Sequence, residues 1–219
     1  IGGSMGGQQL LEWAATEPHL LENVIALATN AFHSAWGIAF NASQRLAIEN
    51  DSTWKQNDSN AGINGMKTAR SIALLSYRTY ETYQRSQTEV LSDKISGFKS
   101  ETYQQYQGEK LALRFNAFSY YFLSRSMDSH HLGRHRNSAE AALNNIQANT
   151  LILSISSDIL FPPEEQLFLS ENIPGAVFQS IHSGYGHDGF LLEYEQIETA
   201  IIQFLNNKPI QINKLQNTI

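Results

Sequence analysis

The chain contains no cysteine, few prolines and no long hydrophobic run. Without cysteine there can be no disulfide, no thiolate nucleophile and no thiolate zinc site, although this does not fix the compartment. No apolar stretch approaches the roughly 18 residues of a membrane span, so an integral membrane protein is not expected. The net charge of −6 is spread without blocks over a chain with only 16% charged residues, which argues against a nucleic-acid partner.

What remains is an ordinary globular composition. Hydrophobic residues make up 42% of 219 residues, a length that suits one large domain or two small ones. The chain opens on IGGSMGG, with no initiator methionine and with a serine between glycines, a motif of potential chemical function, already at position 4. We therefore expect the C-terminal part of a longer protein, whose targeting signals would lie upstream.

Proline and aromatic residues divide the chain into blocks of different character. A proline-free, aromatic-rich stretch with helical periods lies between two segments in which short apolar runs alternate with helical patterns. Such alternation is typical of an α/β fold with a parallel sheet. We predict an α/β core at 1–29 and 150–206, a helical insertion at 30–149 and a polar tail at 207–219 that frays.

Within the α/β blocks, short apolar runs predict strands and helical spacing predicts helices. The predicted strands are 24–28, 150–156 and 176–181, the predicted helices of these blocks are 8–15, 163–171 and 190–205, and a long helical segment is predicted at 66–82 in the insertion. Three strands would form only one margin of a sheet. We expect its other half to come from upstream sequence.

A serine flanked by glycines stands directly before the first predicted helix. Residues 2–6 read GGSMG and fit G-x-S-x-G, the nucleophile elbow, in which serine occupies a strained strand-to-helix turn. Ser4 is therefore a candidate nucleophile, and the backbone N–H of Met5 is a candidate oxyanion donor. We expect a second oxyanion donor to come from upstream sequence. Taken alone, the pentapeptide could also be a glycine-rich loop with a bystander serine.

An aspartate and a histidine follow the last two predicted strands. Asp158 comes directly after the strand at 150–156, and His187 lies in a glycine-flanked loop, HSGYGHDGF, after the strand at 176–181. Each alone would more simply be a turn or surface residue. The order Ser4, Asp158, His187, each just past a predicted strand, is that of the α/β-hydrolase triad and favours a catalytic set.

Longer segments carry a more specific signal. They read IGGSMGGQQLLEWA at the elbow, IAFNASQRLAI at 38–48, MKTARSIALLSYR at 66–78, YQGEKLALRFNAFSYYFLSRSMD at 106–128, SSDILFPPEEQ at 156–166 and GYGHDGFL at 184–191. Together they resemble the homoserine O-acetyltransferase family from Ile1 to Leu205. The resemblance implies the C-terminal part of an α/β-hydrolase fold, with a mostly parallel sheet and a large helical lid. One departure is Asn116, where the family usually has aspartate.

The resemblance also implies a reaction. An acetyl group would pass from acetyl-CoA to the hydroxyl of L-homoserine by a ping-pong mechanism, a step of methionine biosynthesis in the cytoplasm. Ser4, deprotonated by His187, would attack the thioester, and Asp158 would orient the imidazole. The aromatic-rich lid would keep water out. No cofactor would be permanently bound, acetyl-CoA being a co-substrate, and a homodimer through the lid helices is implied.

Homoserine is a zwitterion, so its pocket needs a cation and an anion. The resemblance implies that Arg70 binds the carboxylate and Asp188 the ammonium group. Tyr77 lies two helical turns after Arg70 on nearly the same face, which suits a wall of the same pocket. Without the resemblance, the three would more simply be a solvated cation, a turn residue and a core aromatic.

A histidine cluster offers a metal site as an alternative. His131 and His135 could share a helix face near Asp128. Gly133 lies between the two histidines and the surroundings are polar, which favours a solvated loop. No metal is therefore expected.

Rival functions stay open at this stage. An acyltransferase of the same scaffold could use succinyl-CoA or serine, and an esterase would need the same triad. Arg70 and Asp188 argue against the esterase, because an ester without an amino-acid head gives them no role. A non-catalytic interaction fragment is the third alternative.

Overall fold

The computed structural model describes residues 1–91 and 93–206. These residues form two compact units. We call residues 1–32 with 131–206 the α/β unit and His33–His130 the helical unit. The predicted tail at 207–219 lies outside the described residues.

The α/β unit is built on a parallel sheet that, within the described residues, has four strands. They are β1 (Gly2–Gly3), β2 (Asn23–Leu27), β3 (Asn149–Ile155) and β4 (Val177–Ile181), and neighbours in sequence are neighbours in the sheet. The helices, in chain order over both units, are α1 (Met5–Thr16), α2 (Ala35–Glu49), α3 (Ile63–Tyr77), α4 (Tyr80–Gln87), α5 (Lys99–Ala112), α6 (Ala117–Asp128), α7 (Ala139–Asn144), α8 (Pro163–Asn172), α9 (Gly189–Leu192) and α10 (Tyr194–Leu205).

The sheet is covered on both faces, as parallel sheets are. Every residue of β3 except Asn149 is buried. Ile152 packs in one apolar cluster, with α1, α7 and α8, whereas Leu153 packs in another, with α10. Alternate residues of a strand point to opposite faces, so the continuous apolar run of β3 fills two cores at once.

The predicted strands agree with β2, β3 and β4 to within one residue at each end. Two predicted helices are wrong in their continuity. The segment at 66–82 is interrupted because Arg78 is extended and Thr79 caps a new helix, its side chain accepting from the N–H of Thr82. The segment at 190–205 is interrupted at Glu193, which leaves the helical region with φ −87° and ψ 45°.

The predicted limits of the insertion, 30–149, also need correction. The helical unit ends at His130, and residues 131–148 belong to the α/β unit. The reason is packing: Ala142 and Leu143 of α7, together with Ile146, are buried in the apolar cluster under β3. Helical periodicity identifies such a helix but does not say which core it joins.

The helical unit has its own core. Its centre is Ile48, Met66, Ala69, Leu111 and Ala117. Helices α2 and α3 approach closely at Gly65, where an added Cβ would lie 2.5 Å from the Cα of Ile48. None of the helices in the described part of the chain is both long and apolar enough to cross a bilayer.

Asn116, the departure from the family pattern, has a structural role in this unit. Its side chain caps α6 by accepting a hydrogen bond of 2.8 Å from the backbone N–H of Ser119. Aspartate and asparagine are about equally good at this position. The departure therefore leaves the start of α6 intact.

Candidate active site

Ser4 occupies a strained turn between β1 and α1. Its φ of 53° and ψ of −125° lie in a region that residues with a Cβ rarely adopt. The Ser4 N–H donates to the carbonyl of Leu27 in β2 at 2.9 Å, while its own carbonyl accepts from the N–H groups of Gly7 and Gln8. The elbow that the G-x-S-x-G pattern predicts is thus present as backbone geometry.

The glycines around Ser4 let neighbouring groups approach. A Cβ on Gly7 would lie 2.6 Å from the Cβ of Thr29, and one on Gly3 would lie 2.7 Å from the ring of Phe190. A Cβ on Gly6, by contrast, would meet nothing within 4 Å. The elbow therefore needs glycine at some of these positions for space.

This difference predicts opposite effects for two neighbouring alanine substitutions. Gly7→Ala should lower the free energy of unfolding by about 1–3 kcal/mol, because the new methyl overlaps the branched, buried side chain of Thr29. Gly6→Ala, in open space within the same helix, should be neutral or stabilising by up to about 1 kcal/mol. Chemical denaturation of both variants checks the pair. Equal stability for the two would contradict the steric account.

The structure brings the three triad candidates together. His187 Nε2 lies 2.9 Å from Ser4 Oγ, and His187 Nδ1 lies 2.6 Å from Asp158 Oδ2. Asp158 is 3% exposed and His187 4% exposed, so little water competes for these bonds. The arrangement is a hydroxyl, an imidazole and a carboxylate in one hydrogen-bonded series, as general-base activation of serine requires.

Asp158 is fixed by its backbone surroundings. Its second oxygen, Oδ1, accepts hydrogen bonds from the N–H groups of Leu160 at 2.8 Å and Phe161 at 2.9 Å. Oδ2 is thereby left to face the imidazole. Because a carboxylate oxygen can only accept, the contact with Oδ2 places the imidazole proton on Nδ1, and Nε2 faces Ser4 Oγ as the acceptor of the serine proton.

His187 is held by ring packing and by its loop. The ring of Phe161 stacks on the imidazole at a centroid distance of 5.0 Å, and the ring of Phe190 lies at the same distance on a tilted plane. The preceding Gly186 has φ 68° and donates its N–H to Ser157 Oγ at 2.9 Å. Sequence reasoning missed both aromatic neighbours, since only the fold shows that they flank this ring.

Met5 is the first residue of α1. The first N–H groups of a helix have no acceptor within the helix, and the helix dipole favours negative charge there. The Met5 N–H stands directly after Ser4, where the oxyanion of a tetrahedral intermediate would form. This position suits the role predicted for it.

The acceptor-binding candidates are divided between the units. Arg70 and Tyr77 lie on α3 of the helical unit, with the guanidinium 5.3 Å from the ring centroid, so the predicted shared helix face is confirmed. Asp188 belongs to the α/β unit, directly after His187 in a 3₁₀ turn. The binding roles of all three remain predictions.

Tyr120 of α6 is a neighbour that the sequence reasoning did not single out. Burial of its hydroxyl raises the pKa of Tyr120 far above its ordinary value; Tyr77 adds to this rise and the Arg70 cation opposes it. The hydroxyl therefore stays protonated and donates to the side chain of Gln44. Arg70 thus lies among aromatic, hydrogen-bonded side chains, which distinguishes it from a solvated surface cation.

The residues weighed as metal ligands have other contacts. Asp128 forms a 2.6 Å ion pair with Arg45 and accepts a hydrogen bond from Asn41. His131 stacks on Phe32 and pairs with it in an isolated β-bridge, and residues 132–137 form turns and bends, so a shared helix face with His135 does not exist. Within the described residues, no group of three or more potential ligands is close enough to hold a metal ion.

Comparison with known proteins agrees with this geometry. A family model described as the alpha/beta hydrolase fold matches residues 1–194. A homoserine O-acetyltransferase of Cyclobacterium marinum is 48% identical over 93% of the chain, and one of Chloroherpeton thalassium is 40% identical over 95% of it. The resemblance stated from the sequence is thereby confirmed.

Solved structures show the same fold. A homoserine O-acetyltransferase from Bacillus anthracis superimposes with a TM-score of 0.84 over 96% of this chain and 60% of its own, at 21% identity. Esterase E22 gives a TM-score of 0.85 over 94% and 60%, also at 21% identity. At such identities the likeness concerns the fold alone. The chain spans 58% and 56% of the lengths of the two curated relatives.

Proposed function

The chain belongs to the α/β hydrolase fold family, and on that premise we propose that it is the catalytic-triad portion of a homoserine O-acetyltransferase. The observation that carries this proposal is the hydrogen-bonded series Ser4, His187 and Asp158 at the carboxyl ends of parallel strands. Such a triad can perform several acyl-transfer and hydrolysis reactions, and the curated relatives favour acetyl transfer to homoserine among them.

In the first half-reaction, Ser4 would be acetylated. His187 Nε2 takes the Ser4 Oγ proton as Oγ attacks the thioester carbonyl of acetyl-CoA. The oxyanion of the tetrahedral intermediate would be stabilised by the Met5 N–H. The carbon–sulfur bond then breaks, the imidazolium returns its proton to the thiolate, and free CoA leaves an acetyl ester on Ser4.

In the second half-reaction, homoserine would receive the acetyl group. His187 takes the proton of the homoserine hydroxyl, whose oxygen attacks the acetyl-Ser4 carbonyl. The bond to Ser4 Oγ breaks, and the imidazolium returns the proton to Oγ. Asp158 stabilises the imidazolium in both halves without changing its own protonation.

The acceptor would be selected by opposite charges. Homoserine presents a carboxylate and an ammonium group, for which we assign the Arg70 guanidinium and the Asp188 carboxylate, with Tyr77 beside Arg70. Acetyl-CoA does not present a carboxylate and an ammonium group in the arrangement that homoserine has. The two half-reactions should therefore respond differently when this pair is altered.

The acceptor assignment predicts selective damage. Arg70→Ala and Asp188→Ala should each slow transfer from acetyl-Ser4 to homoserine by about 10- to 150-fold, because each strands one charge of the zwitterion without its charge-assisted hydrogen bond. Acetylation of Ser4 by acetyl-CoA should change little. Rapid-quench measurement of each half-reaction in the natural protein checks this, with Arg114→Ala, an exposed cation on the same unit, as control. Equal losses in both half-reactions would indicate a structural role for the pair.

A product assay tests the function itself. The natural protein is given acetyl-CoA or succinyl-CoA together with homoserine or serine, and the products are separated by mass. We expect O-acetylhomoserine and free CoA as the main products. Preference for succinyl-CoA or serine would overturn the donor or the acceptor, and release of acetate in preference to transfer would indicate an esterase.

The remaining attributes are inferred from the relatives and from the resemblance. Methionine biosynthesis, a cytoplasmic location and a homodimer formed through the helical unit belong to this set. They stay predictions, and the homodimer is checked by sedimentation of the natural protein.

A further inference from the structure

The end of β2 contacts the backbone of Ser4 at two points. The carbonyl of Leu27 accepts the Ser4 N–H at 2.9 Å, and the hydroxyl of Thr29 donates to the Ser4 carbonyl at 2.8 Å. Between them, Ala28 adopts φ 44° and donates its N–H to Leu153 of β3. Ser4, which has a positive φ, is thus hydrogen-bonded to both neighbours of Ala28, a second residue with a positive φ.

The conformation of Ala28 makes the second bond possible. Leu27 is still in β2, in register with Leu153, and the left-handed Ala28 then turns the chain. The turn places the Thr29 side chain against the start of α1. Strained backbone persists only where its surroundings hold it. Here the N–H of Ser4 is bound by Leu27 of β2, and the N–H of Ala28 is bound by Leu153 of β3.

Thr29 is itself fixed from both sides. It is fully buried, and its Cβ lies where a Cβ on Gly7 would collide with it. Its carbonyl accepts a 2.7 Å hydrogen bond from the side chain of Gln166 on α8. A rigidly seated hydroxyl can therefore hold the Ser4 carbonyl in one place.

The next residue adds a parallel connection. Asn30 accepts a hydrogen bond from Gln8 of α1 at 2.9 Å and donates one to Glu165 of α8 at 2.8 Å. Gln8 and Asn30 are both buried. The segment 28–30 thus lies between the first turn of α1 and the first turn of α8, with bonds to both.

We propose that Thr29 is a positioning residue for the nucleophile. Its hydroxyl fixes the Ser4 carbonyl and with it the φ and ψ of Ser4, which set the direction of the Ser4 side chain. That direction keeps Oγ within 2.9 Å of His187 Nε2. Thr29 acts through Ser4, and the inference rests on the proposed function in taking Ser4 as the nucleophile.

A reagent that needs neither CoA nor homoserine tests this inference separately. A fluorophosphonate probe reacts with an activated serine: the Ser4 Oγ–phosphorus bond forms, the phosphorus–fluorine bond breaks, fluoride leaves and the proton passes to His187. Labelling rates of the natural protein are measured over a range of probe concentrations. Saturation separates the maximal labelling rate from the half-saturating concentration, and peptide mass locates the label.

Three variants make the comparison. Thr29→Val keeps the branched shape and removes the hydroxyl, Thr29→Ser keeps the hydroxyl, and Thr150→Val is the matched control. Thr150 is also buried, and its hydroxyl donates to the carbonyl of Ala148 at 2.9 Å, in β3 away from the elbow turn. Should Thr29→Val fail to fold, Thr29→Ala takes its place.

We expect Thr29→Val to lower the maximal labelling rate by roughly 3- to 10-fold, the effect of one lost hydrogen bond, with the half-saturating concentration unchanged. Thr29→Ser should recover most of the rate, and Thr150→Val should label like the natural protein. A Thr29→Val rate equal to that of the natural protein, a Thr29→Ser rate as low as that of Thr29→Val, or an equal loss in Thr150→Val would each overturn the positioning role while leaving Ser4 as nucleophile. Absence of label on Ser4 in the natural protein would overturn the proposed function, and the inference with it.

Discussion

Ser4→Ala should abolish the acetyl-enzyme and lower acetyl transfer by on the order of 10³-fold or more. The reason is that Ser4 Oγ is the atom that would carry the acetyl group, and it is the hydroxyl that lies 2.9 Å from His187 Nε2. The residual rate would reflect substrate binding and the oxyanion site alone. Steady-state assay with acetyl-CoA and homoserine measures the loss.

A second serine variant separates this loss from a general effect. Ser43 is exposed on α2, and its hydroxyl donates to a carbonyl of its own helix. Ser43→Ala should keep the natural rate, and Ser4→Ala should keep the natural melting temperature to within a few degrees. Near-normal transfer by Ser4→Ala would show that the triad assignment is wrong.

Asp158→Asn should lower transfer by about 10³- to 10⁴-fold with little change in fold. Oδ1 of Asp158 accepts two backbone N–H groups, so the amide oxygen of asparagine must take that position. Its NH₂ group then faces His187 Nδ1 as a donor. This contact favours the tautomer of the imidazole with the proton on Nε2. An Nε2 that already carries a proton cannot accept the proton of serine.

The geometry of the Asp158→Asn variant is itself measurable. A crystal structure should show the asparagine in the position of the aspartate, and NMR of the imidazole nitrogens should report the proton on Nε2. Asp58→Asn, at an exposed turn where the carboxylate accepts the N–H of Asn60, should leave transfer unchanged. A small loss in Asp158→Asn would remove Asp158 from the catalytic set.

The sequence predicts the parts of the site that depend on local pattern. The apolar runs in β2 and β3 are short and uninterrupted, because strands buried on both faces show no alternation of apolar and polar residues. In β4, Gln179 and Ser180 interrupt the run, and the first four residues of the strand are only half-buried. The elbow is readable because space and backbone strain demand small residues around Ser4. The triad order is readable because the carboxyl ends of parallel strands meet at one edge of the sheet.

The sequence does not predict the parts that depend on tertiary contacts. Thr29 reads as an unremarkable polar residue after a strand, and its bond to Ser4 exists only because Ala28 turns the chain. Likewise, α7 has the helical period of its neighbours in sequence, yet it packs under β3. Long-range packing decides which apolar core a helix joins, and helical periodicity in the sequence does not predict it.

The measurement that tests the central claim most directly is the mass of the Ser4 peptide after the natural protein meets acetyl-CoA without acceptor. The reaction is quenched in acid within one turnover and the protein is digested. We predict one acetyl group on Ser4, lost again when homoserine is added before the quench, with O-acetylhomoserine formed in equal amount. Formation of O-acetylhomoserine with Ser4 unmodified at every time point would contradict the account.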